Sequence, residues 1–235
     1  MHLLAFETSA KAGSVALFED GKLLCQQYAN TGLTHSQTVM VMAWQAMEAA
    51  GVTPKDIDAV AVAAGPGSFT GLRIGVAAAK GFAWGREILC YGVSTLEAMA
   101  RQLGVDSGYV LPVMDARRQQ VYTALFSAEG GELTRIWEDK AISLEDVKNA
   151  VKNLEKSVFL VGDGALLCYN TLKDEIPNLV MPPEHRMHQQ AAGVALAAIA
   201  MMEKGDKGDA NALSPNYLRL SQAERERMEK ERNLL

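Results

Sequence analysis

Cysteine is scarce in this 235-residue chain, and its three copies, Cys25, Cys90 and Cys168, are odd in number and far apart. Such spacing supports neither a disulfide framework nor a CxxC metal site, so a reducing compartment is expected. Histidine is almost as rare: His2, His35, His185 and His188 are all there is. A zinc peptidase needs two or three ligands around an open position, and no His-Glu-x-x-His or similar set is present. His185 and His188 stand at i, i+3 in a proline-flanked stretch with Glu184 as the one nearby carboxylate; they are read as surface residues and no metal is assigned. Positive charge is not in excess either, with 23 Lys and Arg against 28 Asp and Glu and a net charge of −5. The chain therefore lacks the electrostatic footprint of a protein that binds nucleic acid unaided. No apolar run reaches membrane-spanning length, and Met1 to Glu7 meets an acidic residue too early for a signal peptide, so a cytoplasmic location is expected.

What is present is a large apolar fraction, 49%, in a chain long enough for two lobes, each of about 100 residues with a core of its own. Leu3 to Glu7, Ser14 to Phe18 and Lys22 to Tyr28 read as an antiparallel meander. A capping box, Thr34 with Gln37, opens a helix that stops at Gly51. Ile57 to Ala64 is apolar throughout most of a strand's length, which suggests a strand covered on both faces. A glycine-rich corner and a helix to about Gly85 follow, then a strand at Ile88 to Val93 and a helix from the Ser94 and Glu97 box to Gly104. A second set of similar order begins at Tyr109: strands at Val110 to Met114, Gln120 to Phe126 and Leu133 to Trp137, a helix at Ser143 to Leu154, and a buried strand at Val158 to Val161. Gly162-Asp163-Gly164 turns into another helix, and an apolar helix runs from about Gln189 to Lys204. The run from Gln222 to Arg232 alternates Glu, Arg and Lys, the pattern of a solvated helix or frayed tail.

The corner reads Ala64-Gly65-Pro66-Gly67-Ser68-Phe69-Thr70-Gly71-Leu72-Arg73. Ser68 or Thr70 can cap the following helix, whose exposed N–H groups would attract an anion. A tight packing corner explains the same residues. The spacing is neither a P-loop, since no Gly-Lys-Ser/Thr closes it, nor a dinucleotide fingerprint. A nucleophile elbow is missed by one position on either side of Ser68.

Four segments in order, Phe6-Glu7-Thr8-Ser9, Ala64 to Arg73, Asp115-Ala116-Arg117-Arg118 and Pro215-Asn216-Tyr217-Leu218-Arg219, together resemble the TsaB family of the TsaD/glycoprotease-like group. Its members are non-catalytic partner subunits in bacterial synthesis of threonylcarbamoyladenosine in tRNA. The resemblance implies an α/β, two-lobe fold of the actin, hexokinase and chaperone kind (ASKHA) built from two RNase H-like lobes. Residues 1–104 would form the first lobe with the partner interface, 105–221 the second, and 222–235 a charged tail. It also implies a TsaD-like catalytic subunit and a TsaE-like ATPase as partners, with tRNA met mainly through the complex. ATP, Mg and a metal held by the TsaD-like subunit belong to that complex, while the isolated chain has no cofactor.

The metal of TsaD-like enzymes is held by two histidines a helical turn apart, a spacing that puts both on one helix face. Here His35 is followed four residues later by Val39, so that pair is incomplete and no catalytic residue is assigned. Glu7, Thr8 and Ser9 on the first hairpin, and Asp115, Arg117 and Gly162 in the second lobe, would mark a vestigial nucleotide cleft. Arg117 and Arg118 either pair with Asp115 or a glutamate of the facing lobe or clamp a phosphate. Val39, Met40, Val41, Met42, Ala43, Trp44, Ala46 and Met47 cover nearly the whole circumference of their helix, more than one core needs. Small residues on the next helix, Gly71, Gly75 and Ala79 among them, would let another helix approach. The expected partner face comprises His35, Val39, Met42, Leu72, Val76, Ala79 and Ala83, which would also form a homodimer in the partner's absence. An independent ATP-dependent phosphotransferase and a metallopeptidase of the same superfamily are the competing readings.

Overall fold

A computed structural model describes residues 1–86, 88–117 and 119–219. The expected Arg117 and Arg118 pairing lies partly, and the charged tail wholly, outside these residues. The first five-stranded sheet has the order β3-β2-β1-β4-β5. Its strands are β1 (His2–Glu7), β2 (Gly13–Glu19), β3 (Lys22–Ala29), β4 (Ile57–Gly65) and β5 (Leu89–Ser94). The first three are antiparallel, and β1, β4 and β5 run parallel to one another. The second sheet, β10-β9-β6-β7-β8, repeats this plan with β6 (Ser107–Asp115), β7 (Gln120–Glu129), β8 (Glu132–Ser143), β9 (Val158–Val161) and β10 (Leu179–Val180). Two sheets of one topology are the two-lobe fold expected from the sequence, carried by helices α1 (His35–Ala50), α2 (Phe69–Ala83), α3 (Thr95–Leu103), α4 (Leu144–Val151), α5 (Ala165–Leu172), α6 (Glu184–Met187) and α7 (Ala191–Glu203).

Alternation along the parallel strands decides which helix covers which face, because successive side chains point to opposite sides. Leu4, Phe6, Val60 and Val62 face α1 and α2, while Leu3, Ala5, Ala59, Ala61 and Ala63 face α7. The second surface is alanine-rich, and α7 meets it with Ala191, Ala195, Ala197 and Ala198. Small side chains on both sides bring helix and sheet close, and dispersion then replaces bulk. Thus α7, made after the second sheet, packs across the first. On the second sheet α4 and α5 cover one face and α3 the other. Leu96, Met99 and Leu103 of α3 pack on Val110, Phe126 and Val161, so α3 is shared by the two sheets.

Candidate functional site

The four segments that carry the family resemblance converge on one cleft of 570 Å³ between the lobes, lined among others by Ser9, Lys11, Phe69, Asp115, Arg117, Asp163, Tyr217 and Arg219. The corner after β4 is built for close approach. Gly65 has φ +134°, and a Cβ there would strike the Asn216 carbonyl; a Cβ on Gly71 would strike the carbonyl of Thr8. Only glycine satisfies both demands. Ser9 accepts from the Ser68 N–H at 2.6 Å, Thr8 Oγ1 donates to the Gly71 carbonyl at 2.8 Å, and Ser68 Oγ caps α2 by accepting from Gly71 N–H at 3.2 Å. Of the two readings of this corner, packing accounts for its glycines, Gly67 and Gly71 against the first hairpin and Gly65 against Asn216.

That packing commits two of the donors this hairpin could offer a phosphate. The Ser9 N–H goes to Glu7 Oε1 at 2.6 Å, and the Thr8 hydroxyl is already committed to Gly71. Glu7 is fully buried with Oε2 unpartnered, as is Ser9 Oγ. Burial pushes the Glu7 carboxyl up to about 7, with the nearby negative charge of Asp163 adding to the rise and the bond from the Ser9 N–H opposing it. Asp163 faces the cleft; the surrounding protein and then Asp115 raise its carboxyl, against a bond from Gln189 Nε2 at 2.9 Å. Glu7, Thr8 and Gly162 lie behind the cleft wall, leaving Ser9, Asp115 and Arg117 of the six expected residues on it. Gly162 is spent on packing: its N–H bonds Met187 at 2.7 Å and a Cβ would collide with the Val113 carbonyl. Arg117 occupies a left-handed turn, φ 63°, beside Asp115 on the cleft. Its main-chain N–H, not its guanidinium, meets Asp115 Oδ1 at 2.7 Å. On the first hairpin, the Thr8 hydroxyl and the Ser9 N–H are therefore not offered to a nucleotide phosphate.

His35 is also committed internally. Its Nε2 lies 2.7 Å from the Ala10 carbonyl, and its ring fills the space a Cβ on Gly13 would take. Among the described residues no group of three or more His, Cys, Asp or Glu is arranged to hold a metal.

The helix face needs a correction at the level of residues. Val39, Met42, Leu72, Val76, Ala79 and Ala83 are buried in the chain's own core, Met42 at 8% and Val76 at 6% exposure, because they are the positions that α1 turns toward β2 and β3 and α2 toward β4 and β5. Gly71 and Gly75 likewise face Thr8 rather than a second helix. The apolar excess is real but sits one step around each helix: Met40, Val41, Trp44 at 60% exposure, and Trp84 at 86% immediately after α2. Met40, Ala77, Ala78, Gly81 and Trp84 line a shallow groove along these two helices. The all-round apolar pattern of α1 reflects an inner side and an exposed apolar one; it could not say which side was the inner one.

Comparisons with known proteins agree with this architecture. Residues 29–227 match the model of the family described as TsaD, tRNA N6-adenosine threonylcarbamoyltransferase. The tRNA threonylcarbamoyladenosine biosynthesis protein TsaB of Bacillus subtilis is 30% identical over 225 residues, covering 95% of this chain and 96% of that protein. The structure of YeaZ from Pseudomonas aeruginosa superposes with a TM-score of 0.79 at 26% identity, covering 92% of this chain and 99% of that one. An activator of 2-hydroxyisocaproyl-CoA dehydratase from Clostridium difficile shares the fold alone, with a TM-score of 0.52 at 12% identity over 87% of this chain and 97% of that one. The fold, the convergence of the four segments and these matches together make this chain a member of the TsaB family of tRNA threonylcarbamoyladenosine biosynthesis proteins.

Proposed function

We propose that this chain is a non-catalytic subunit that binds and activates a TsaD-like threonylcarbamoyltransferase, which modifies N6 of adenosine 37 in tRNAs reading codons that begin with A. The observation that carries this reading is the apolar face of α1 and α2, on which Trp44, Trp84, Met40 and Val41 stay in water. Gly81 supports it. A Cβ there would meet nothing within 4 Å, so the chain's own packing does not require glycine, yet an interior helical glycine costs about 1 kcal/mol relative to alanine. A helix of a partner lying close over that point gives the glycine a use. His35 and Val39, both engaged within the chain, argue against a metal of its own. In this reading ATP, Mg and the metal belong to the complex, a TsaE-like ATPase is a further member, and tRNA is met through the assembly in the cytoplasm. The same face would pair two copies when no partner is present.

Co-purification with a TsaD-like protein, combined with nucleoside analysis of tRNA modified in vitro, tests it. Met40→Asp with Trp84→Asp should abolish capture and modification while leaving the isolated chain folded. Undiminished capture would overturn the placement. ATP turnover by the chain alone would favour the phosphotransferase reading.

A further inference from the structure

The segment Pro215–Arg219 has a place in the family resemblance but no role in the reading above. It crosses the mouth of the cleft, and its consecutive residues change lobes. The Asn216 N–H bonds the Ala64 carbonyl at 2.6 Å. Tyr217 stacks on Phe69 with ring centroids 4.5 Å and planes 24° apart, and its hydroxyl accepts from Arg73 Nε at 3.0 Å. The Arg73 guanidinium also lies 4.0 Å from the centroid of the Phe69 ring. Arg219 Nη1 then reaches the second lobe and donates to the Ala116 carbonyl at 2.9 Å.

We propose that residues 215–219 form a strap that clasps the β6–β7 hairpin of the second lobe to the start of α2 in the first, fixing the width of the cleft until the strap is displaced. The hairpin is the element such a clasp would control. Its tip holds Arg117 at φ 63° and Gln119 at φ 58°, left-handed conformations that non-glycine residues adopt at a cost of roughly 1 kcal/mol or more. Backbone of this kind persists only where its surroundings over-determine it. The turn's own bonds, Ala116 N–H to the Gln120 carbonyl at 3.0 Å and Gln120 N–H to the Arg117 carbonyl at 3.2 Å, and the Asp115 carboxylate on the Arg117 N–H hold it from within, while Arg219 on the Ala116 carbonyl holds it from the strap. Without Arg219, the tip keeps its internal bonds but loses the contact that ties it to the first lobe through the strap. The inference concerns the interlobe cleft and stands whether or not the α1 and α2 face binds a partner.

Hydrogen exchange on the full chain tests the strap. Tyr217→Ala with Arg219→Ala should speed exchange of the Ala116 and Gln120 amides by about tenfold while Val60 and Val62 in β4 exchange as in the unaltered chain. Tyr217→Phe keeps the ring stack and should leave the hairpin within about twofold of the unaltered rate. Unchanged exchange at the hairpin in the double variant would overturn the strap. So would an equal rise at β4, which would assign these residues to global stability, or a Tyr217→Phe chain that behaves like the alanine variant.

Discussion

Thr8 and Gly71 are locked to each other at the point where β1 ends and α2 begins: the threonine hydroxyl donates to the glycine carbonyl at 2.8 Å, and the glycine has no room for a Cβ against the threonine backbone. Gly71→Ala should therefore destabilise the chain by about 2 kcal/mol or more, as expected when a methyl is forced into a filled core. Thr8→Val, which removes the bond and keeps the shape, should lose about 1 kcal/mol, the Gly71 carbonyl keeping its helical partner. Urea unfolding of both variants checks the order; equal stability of Gly71→Ala and the unaltered chain would contradict the described approach.

Gly81 makes the opposite prediction from the same residue type. Gly81→Ala should stabilise the isolated chain by about 0.5–1 kcal/mol, since the helix gains propensity and nothing is displaced. It should also weaken association with the partner. Thermal unfolding and titration calorimetry read the two effects separately.

Glu7 sets a pH dependence. Its carboxyl is raised by burial from an ordinary value of 4.5 to about 7, so the folded chain holds this proton more tightly than the unfolded chain. Stability consequently falls as pH rises from about 4.5 to about 7 and is level with respect to this group on either side. Glu7→Gln removes the titration. The variant should gain on the order of 3 kcal/mol over the unaltered chain at pH 8 and almost nothing at pH 4, as measured by denaturant unfolding at both values. A gain that is the same at both pH values would show that charge at position 7 is not the cause.

Arg135 bridges α3 and the second sheet, with Glu97 Oε2 at 3.0 Å and Asp139 Oδ1 at 2.6 Å, while Ser94 Oγ donates to the same aspartate at 2.6 Å. Burial opposes the Glu97 charge, yet bonds from Arg135 and Arg101 hold its carboxyl below the usual range. Arg135→Met should cost about 2 kcal/mol by leaving part-buried carboxylates short of a partner. The Glu97 contribution is present above the ordinary carboxylate value and fades as pH falls through its lowered one. A double-mutant cycle with Glu97→Gln at pH 7 and pH 3 measures both.

Most of the elements were legible in the sequence because local chemistry and packing agree there. Thr34 and Gln37 start α1, with the Thr34 N–H bonded to Gln37 Oε1 at 3.3 Å, and the apolar stretch of β4 is covered on both faces. The Ser94 box is half formed: Ser94 Oγ caps the Glu97 N–H at 3.2 Å, but the glutamate side chain turns to Arg101 and Arg135 instead of back to the cap. Periodicity alone does not reveal a salt bridge to a later strand. β8 runs past Trp137 to Ser143 through Glu138, Asp139 and Lys140, whose charge hides an edge strand. The two-residue β10 is too short to leave a pattern. The cleft was legible as four segments, whereas the loss of Glu7, Thr8 and Gly162 to its wall depended on which donors were already committed. Neither Phe69 nor Tyr217 announces the other, since a stack between distant residues leaves no spacing to find.

The seating of α7 on the first sheet sets the order in which this protein can be made. Leu3, Ala5, Ala16, Ala59, Ala61 and Val93 present an apolar surface that α7 alone among the later elements covers broadly, and α7 begins at Ala191. While the ribosome is still adding the second sheet, that surface has α3 beside it but no α7 over it. At about 5–20 residues per second, the newly made first sheet waits many seconds with one side wet. The amino-terminal half thus completes its packing only with one of the last helices to be translated, and a nascent chain halted before Ala191 would offer a sticky surface to whatever is near.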